Sequence, residues 1–344
     1  MKFGQVTIKD IARELGISPS TVSRALKDHP DISSETKRQV NALAEKLSYQ
    51  PNTVALNLRK SKTNTIGVVI PEIVHFFFST IISGIEETAH EAGYNVILTQ
   101  SDENYEREVA DVKDLFNSRV DGLLISMSRE TKTFDHISAL MNRGLPVVFY
   151  DRSCPDENTS KVIVDDYAGA REAVQHLIEQ GCRRIAHLQA APGTSISEGR
   201  LQGYMDALRE ADMPIAADLI IPCVAGNLEE GFEVGKKLLA MKNRTDGVFA
   251  NNDLMAMGAM KTFKEKGVRV PADIAVVGFS NWFFSQLMDP PLSSVDQPGF
   301  EMGQRAAGLL IAQIEKINEG ESAIVPETIT LKTRLIIRES SRRK

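Results

Sequence analysis

The sequence predicts a small all-α head joined to a large α/β body. Three observations predict this. Apolar residues in the first fifty positions recur at helical spacing. From Ile66 onward, short apolar runs alternate with helical stretches. The charge is also divided, with eleven Lys/Arg against six Asp/Glu in residues 1–62 and 29 against 40 in the remainder. A chain of 344 residues exceeds one ordinary core, so two or three domains are expected.

The first helix opens at Thr7, whose hydroxyl suits a cap, with Asp10 in the acidic first turn. Ile8, Ile11, Ala12 and Leu15 form one helical stripe, and Gly16 ends it. Ser18 caps a second helix and Pro19 takes its first position, where a missing N–H costs nothing. Val22, Ala25 and Leu26 line the inner edge. Ser33 or Ser34 caps a third helix with Val40, Leu43, Ala44 and Leu47 inward. Three short helices with a tight Gly turn between the first two make a helix-turn-helix layout over residues 1–50. The outer edge of the second helix then suits the major groove. Pro19, Ser20, Ser23 and Arg24 are placed to reach base edges, Arg24 in bidentate fashion to guanine. Thr21 and the helix N-termini suit phosphates, Ser18 and Thr7 standing at two of them. The competing reading is a three-helix bundle that binds protein.

Residues 51–63 begin with Pro51, a helix stop. Asn52 caps a further short segment running to Arg59, followed by Lys60 and Lys62. So short a helix is unstable alone in water and needs something to hold it. Val54, Leu56 and Leu58 are conspicuous in it. One reading is a linker with a few buried leucines. The other is a hinge that docks in the minor groove with Leu58 as an apolar wedge.

In the body, "IGVVI", "NVILTQ", "DGLLIS" and "PVVFYD" read as strands separated by helices. After "KVIVDD" the rhythm restarts with a helix from Ala168, then "RIAHLQ", "RLQGYMDALREA" as helix, "LIIP", "GVFANND" and "IAVVGFS". Such alternation builds a doubly wound parallel sheet, and two rounds imply two subdomains. Ligands sit at the carboxyl ends of such strands, and a cleft between subdomains is the natural place. The strand ends supply Glu72, His75, Phe77 and Phe78, then Asp151, then Arg200, then Asn252 and Asp253, then Ser280, Asn281 and Trp282. Carboxylates, amides and arginine pair hydroxyls, and aromatic faces stack on a sugar ring. The competing readings are core filling for the phenylalanines and Trp282, a loop cap for Asp151 and a structural ion pair for Arg200.

Several classes are disfavoured. The three cysteines form no CxxC pair and no metal spacing, so free thiols in a reducing compartment are expected. No apolar run reaches membrane-span length, and "MKFGQVTIKD" has no signal-peptide core, so a cytoplasmic protein is expected. GxSxG, HExxH and GxxxxGK[ST] are missing, and the six histidines do not cluster. No enzyme activity, cofactor or metal is expected. A solute-binding receptor would fit the body alone, but not the basic head.

"TIKDIARELGISPSTVSRAL", "LSYQPNTVALNLRK" and "TIGVVIP" resemble the N-terminal region of the LacI/GalR family of bacterial transcriptional regulators. "RLQGYMDAL", "FANNDLMAMGAM" and "VPADIAVVGFSN" extend the resemblance down almost the whole chain. It implies a periplasmic-binding-protein-like core over residues 64–340, with chain crossings near 162, 293 and 327. The N-subdomain is then about 64–162 plus 294–326, and the C-subdomain about 163–293 plus 327–340. It implies a homodimer on a palindromic double-stranded DNA operator, controlled by a small-molecule effector. Pro19, Ser20 and Arg24 fall on base-reading positions, Leu58 on the inserted hinge leucine and Ala55 beside it. Phe77, Phe78, Asp151, Arg200 and Asn252 fall on or beside effector-contacting positions. Sugar is the favoured effector class and a nucleobase, or a protein partner, the alternative. The departures are Pro19, His75-Phe76 in place of Asn-Pro, Ser280 in place of Asp, and Leu228 in place of an aromatic.

Overall fold

The computed structural model describes residues 6–49, 62–74, 76–154, 158–191, 193–321 and 324–343. The expected hinge positions Asn52, Ala55, Leu58 and Arg59, and also His75, lie outside the described residues. The chain divides into two units, Met1–Thr63 and Asn64–Lys344.

In the first unit, α1 spans Ile8–Leu15, α2 Pro19–Leu26 and α3 Ser34–Lys46. Gly16 ends α1 at φ 64°, a left-handed conformation that costs glycine little. The Ser18 hydroxyl accepts from Thr21 N at 3.1 Å and the Ser33 hydroxyl from Thr36 N at 3.2 Å, so Ser33, not Ser34, caps α3. At α1 the Asp10 carboxylate does the capping. Its Oδ2 accepts the Thr7 N–H at 3.0 Å and the Thr7 hydroxyl at 2.6 Å. Ile11, Ala12, Val22, Ala25, Val40 and Leu43 close the core between the three helices.

The second unit contains β1 (Thr65–Ile70), α4 (Phe76–Glu91), β2 (Asn95–Gln100), α5 (Tyr105–Asn117), β3 (Gly122–Ile125), α6 (Asp135–Met141), β4 (Val147–Tyr150) and β5 (Ser160–Val164). It continues with α7 (Asp166–Glu179), β6 (Ile185–Ala190), α8 (Ser195–Glu210), β7 (Ile220–Cys223), α9 (Leu228–Ala240), β8 (Gly247–Ala250), α10 (Asp253–Glu265) and β9 (Ala275–Phe279). β10 (Ser293–Asp296), α11 (Gly299–Asn318), β11 (Thr328–Leu331) and β12 (Arg334–Ile336) complete it.

Two sheets result. The first has the order β11-β5-β4-β3-β1-β2 and is parallel throughout. The second has the order β12-β10-β9-β8-β6-β7 and is parallel except for the β10–β12 pair. β3, β4, β8 and β9 are buried along their whole length, as expected of strands with helices on both faces. α4 and α11 cross closely on the first sheet. A Cβ at Gly84 would strike the Phe300 carbonyl and one at Gly303 the Ile81 carbonyl, so only glycine fits at either point.

The chain passes between the sheets after β5, β10 and β11, a few residues later than the expected 162, 293 and 327. β10 therefore belongs to the second sheet and β11 to the first. Each strand completes its ladder before leaving, as in the Val164–Leu331 pair that ends β5 and the Val295–Phe279 pair in β10. These three crossings tie the two subdomains together beside the cleft.

Candidate functional site

In the first unit, the outer edge of α2 presents the residues expected to read DNA. Pro19, Ser20 and Arg24 are exposed, and Thr21 and Ser23 half-buried. The Ser18 hydroxyl lies 2.7 Å from that of Ser20 and 2.8 Å from that of Thr21. The Arg24 side chain is 59% exposed, and its ion-pair partner Asp31 is 4.0 Å away, a loose pair that leaves the guanidinium available.

In the second unit, a cavity of about 190 Å³ lies between the subdomains. Its walls are carboxyl-terminal strand ends. Glu72 and α4 follow β1, Glu103 follows β2, Arg129 follows β3, and Asp151 and Arg152 follow β4. From the second sheet come Thr194 and Arg200 after β6, Gly226 and Asn227 after β7, Asn251 and Asn252 after β8, Ser280 after β9, and Gln297 after β10. Phe77, Phe78, Ile196 and Leu254 give apolar surface. Parallel strands send their following loops to one end, so residues remote in sequence meet there.

Of the expected effector residues, Glu72, Phe77, Phe78, Asp151, Arg200, Asn252 and Ser280 line this cavity. Asp253, Asn281 and Trp282 do not. The Asp253 carboxylate accepts from Trp282 N at 2.7 Å, Ser285 Oγ at 2.6 Å and Ser294 Oγ at 2.6 Å, which commits it to the interior. Asn281 Nδ2 donates to Asp296 at 2.7 Å, and its Oδ1 accepts from Arg338 at 2.8 Å. Trp282 packs on the apolar core of the second sheet.

The lining residues differ in how committed they are. Asn252 caps α10, accepting Met255 N at 2.9 Å, and donates to the Gly226 carbonyl at 2.7 Å. Ser280 donates to Gln297 Oε1 at 2.8 Å. Arg200 is 4% exposed and pairs with Asp166 at 2.7 Å, donates to the Asn251 carbonyl and stacks over the Phe279 ring. It is therefore part ion-pair anchor and part cavity wall. Asp151 has no ion-pair partner among the described residues. Its burial pushes the carboxyl up to about 6 against the pull of Arg152.

Glu103, Arg129, Arg152, Asn251 and Gln297 escape the sequence reading. Arg152 Nη1 donates to Glu103 Oε1 at 2.8 Å and Oε2 at 2.6 Å. Arg129 pairs with Glu103 at 3.3 Å and crosses the cleft to donate to the carbonyls of Val224 at 2.7 Å and Ala225 at 3.2 Å. Burial works to raise the Glu103 pKa, but Arg152 and Arg129 outweigh it and hold the carboxyl below its ordinary value. The only signal in the sequence was position: Glu103, Arg129, Arg152 and Asn251 follow apolar strands, and Gln297 follows the partly polar "SSVD".

Among the described residues no helix is long and apolar enough to cross a membrane, and no cluster of three or more metal-ligating side chains occurs. Buried cysteines Cys154, Cys182 and Cys223 are free thiols. A helix-turn-helix followed by a two-subdomain cleft is the architecture of a DNA-binding regulator. Residues 7–52 match the model of bacterial regulatory proteins of the lacI family, and residues 63–338 that of periplasmic binding proteins and the sugar binding domain of the LacI family. The chain belongs to the LacI family of DNA-binding transcriptional regulators. It is 32% identical to the ribose operon repressor of Halalkalibacterium halodurans over 98% of this chain and 97% of that one. Its fold is similar to that of the transcriptional regulator CelR in complex with cellobiose, at TM-score 0.74 and 30% identity, covering 97% and 99% of the two chains. It is also similar to the lac repressor dimer bound to operator and an anti-inducer, at TM-score 0.84 and 27% identity, covering 98% and 99%.

Proposed function

We propose that the chain is a homodimeric repressor of carbohydrate-use genes that binds a palindromic operator and answers to a sugar held in the cleft. The observation that supports this most is the lining of the cavity. Uncommitted carboxylate, amide groups and apolar faces converge there from the strand ends of both sheets. That is the chemistry of a polyol site.

On the DNA side, Pro19, Ser20, Ser23 and Arg24 read base edges in the major groove, and Thr7, Ser18 and Thr21 hold phosphates. Asn52, Ala55, Leu58 and Arg59 form the hinge, with Leu58 wedged into the minor groove at the operator centre. The work is done on chromosomal DNA, hence in the cytoplasm. The sugar acts by binding the DNA-bound and free forms with different affinities, which changes the balance between them.

Selection of the full chain against a random DNA library tests the DNA half. The expected result is a palindrome of two half-sites, bound with a steep salt dependence. Leu58→Ala is expected to lose most of that affinity while the second unit melts at an unchanged temperature. Recovery of an asymmetric site, or of none, overturns the dimeric operator reading.

A further inference from the structure

We infer that the cleft takes a neutral, single-ring sugar and rejects sugar acids and sugar phosphates, with Glu103 as the residue that sets this charge preference. The inference rests on reading the cleft as an effector site and names the class of ligand that the site accepts.

Three guanidinium groups line the cavity, those of Arg129, Arg152 and Arg200. Each already has a carboxylate partner. Arg152 and Arg129 share Glu103, and Arg200 holds Asp166 at 2.7 Å. The remaining hydrogen bonds of Arg129 go to the Val224 and Ala225 carbonyls, and another from Arg200 goes to the Asn251 carbonyl. Glu72 and Asp151 also line the cavity, and neither has an ion-pair partner among the described residues. Three carboxylates, those of Glu72, Glu103 and Asp151, thus line the cavity with three cations, and Asp166, paired with Arg200, makes a fourth. A ligand carboxylate or phosphate would lose its water, find no cation that lacks a carboxylate partner, and meet Glu72 and Asp151.

The unpartnered polar atoms point the same way. Asn251 Oδ1 and Gln297 Nε2 are buried without a hydrogen-bond partner, on residues 5% and 7% exposed, and both residues line the cavity. One needs a donor and the other an acceptor. Asp151 needs donors as well. A hydroxyl both gives and takes, whereas a carboxylate or phosphate oxygen at neutral pH mostly takes. Phe77 and Phe78, which also pack in the core of the first sheet, and Ile196 and Leu254 on the other subdomain give the cavity apolar wall for the C–H groups of a sugar ring. The volume of about 190 Å³ is below the roughly 300–1,000 Å³ of drug-sized sites, which suits one ring.

Glu103 is singled out because one carboxylate cancels two cations. Its Oε2 also accepts the Arg129 backbone N–H at 2.8 Å. Glutamine keeps the shape and an acceptor oxygen but removes the charge. Arg129 and Arg152 would then stand together on the wall with an unanswered positive charge, and a ligand carboxylate would replace the one removed.

The test is thermal melting and calorimetric titration of the full chain with glucose, galactose and ribose, and with glucuronate, galacturonate and glucose 6-phosphate. At least one neutral sugar is expected to raise the wild-type midpoint, and no charged one. Glu103→Gln is expected to bind the matching sugar acid at least tenfold more tightly than wild type. A wild-type chain that prefers the acid or the phosphate overturns the charge preference and leaves the effector reading standing. A folded Glu103→Gln variant with no gain overturns the role of Glu103. If that variant does not fold, Glu103→Gln with Arg129→Met keeps the net charge and still frees Arg152, and the same gain is expected of it. No shift with any compound overturns the effector reading and this inference together.

Discussion

Arg200 Nη2 stands 2.7 Å from Asp166 Oδ1, and the same guanidinium lies 3.6 Å from the centre of the Phe279 ring. The pair joins α7 to α8, and the bond to the Asn251 carbonyl adds the end of β8. Both side chains are nearly buried, and burial raises the Asp166 pKa against the pull of Arg200. Removing one partner strands a charge in a poor solvent. Arg200→Met is therefore expected to cost about 3–5 kcal/mol. Adding Asp166→Asn should recover much of that loss, which a double-mutant cycle by urea unfolding measures. A single-variant cost below about 1 kcal/mol, the range of exposed pairs, would deny the anchor role.

Asp253 is a second anchor, and it separates stability from binding. Its carboxylate holds Trp282 N, Ser285 Oγ and Ser294 Oγ, and so fixes the loop between β9 and β10. Hydrogen bonds to charged groups contribute about 1.5–3 kcal/mol each. Asp253→Ala is expected to lower stability by several kcal/mol in denaturant titrations. Its folded fraction should bind sugar within about tenfold of wild type, a difference of 1.4 kcal/mol. Asp151→Ala should show the reverse pattern.

These two residues also mark what could be read in the sequence. Strands such as "GLLI", "VVFY" and "AVVGF" are buried on both faces, so their apolar runs declare them. β10, β11 and β12 read "SSVD", "TITL" and "RLI", short and partly polar, because they lie at or near sheet edges beside the crossings. Asp151 stands one residue and Asp253 three residues past the end of an apolar strand, and the two look alike as sequence. The turn after each strand decides which one faces the cavity, and Asp253 sits at the start of α10, turned toward Ser285 and Ser294. Glu103 and Arg129 resemble ordinary surface charges until the topology brings β2 and β3 beside the cleft.

On the first unit, Arg24→Ala is expected to relax base preference at one position of each half-site, at a cost of about 1–3 kcal/mol there. The exposed guanidinium and its loose 4.0 Å pair with Asp31 leave it free to engage a base. Binding to libraries with each position randomised checks this. A uniform loss across all sequences, with a shallower salt dependence, would make Arg24 a phosphate contact instead.

Asp151 makes a prediction about pH. Burial pushes its carboxyl up to about 6, from an ordinary 3.8. Between those values the folded chain holds a proton that the unfolded chain has released, so stability falls as pH rises through that window. At about 1.36 kcal/mol per pKa unit the charged carboxyl costs up to roughly 3 kcal/mol at pH 7.5. Asp151→Asn removes that cost and is expected to be the more stable protein at pH 7.5, with the advantage shrinking as the pH is lowered toward 4. Asp253, also near 6, acts in the same direction in both proteins, and His187, depressed to about 4 by burial, acts in the opposite one. The informative quantity is therefore the difference between variant and wild type at each pH, from urea unfolding at half-unit steps. The same substitution should weaken sugar binding, because the amide keeps one acceptor oxygen and puts an NH2 donor where the carboxylate has its second. A variant less stable than wild type at pH 7.5 would mean that the protein's own groups already satisfy the carboxylate, and that it is not held in reserve for a ligand.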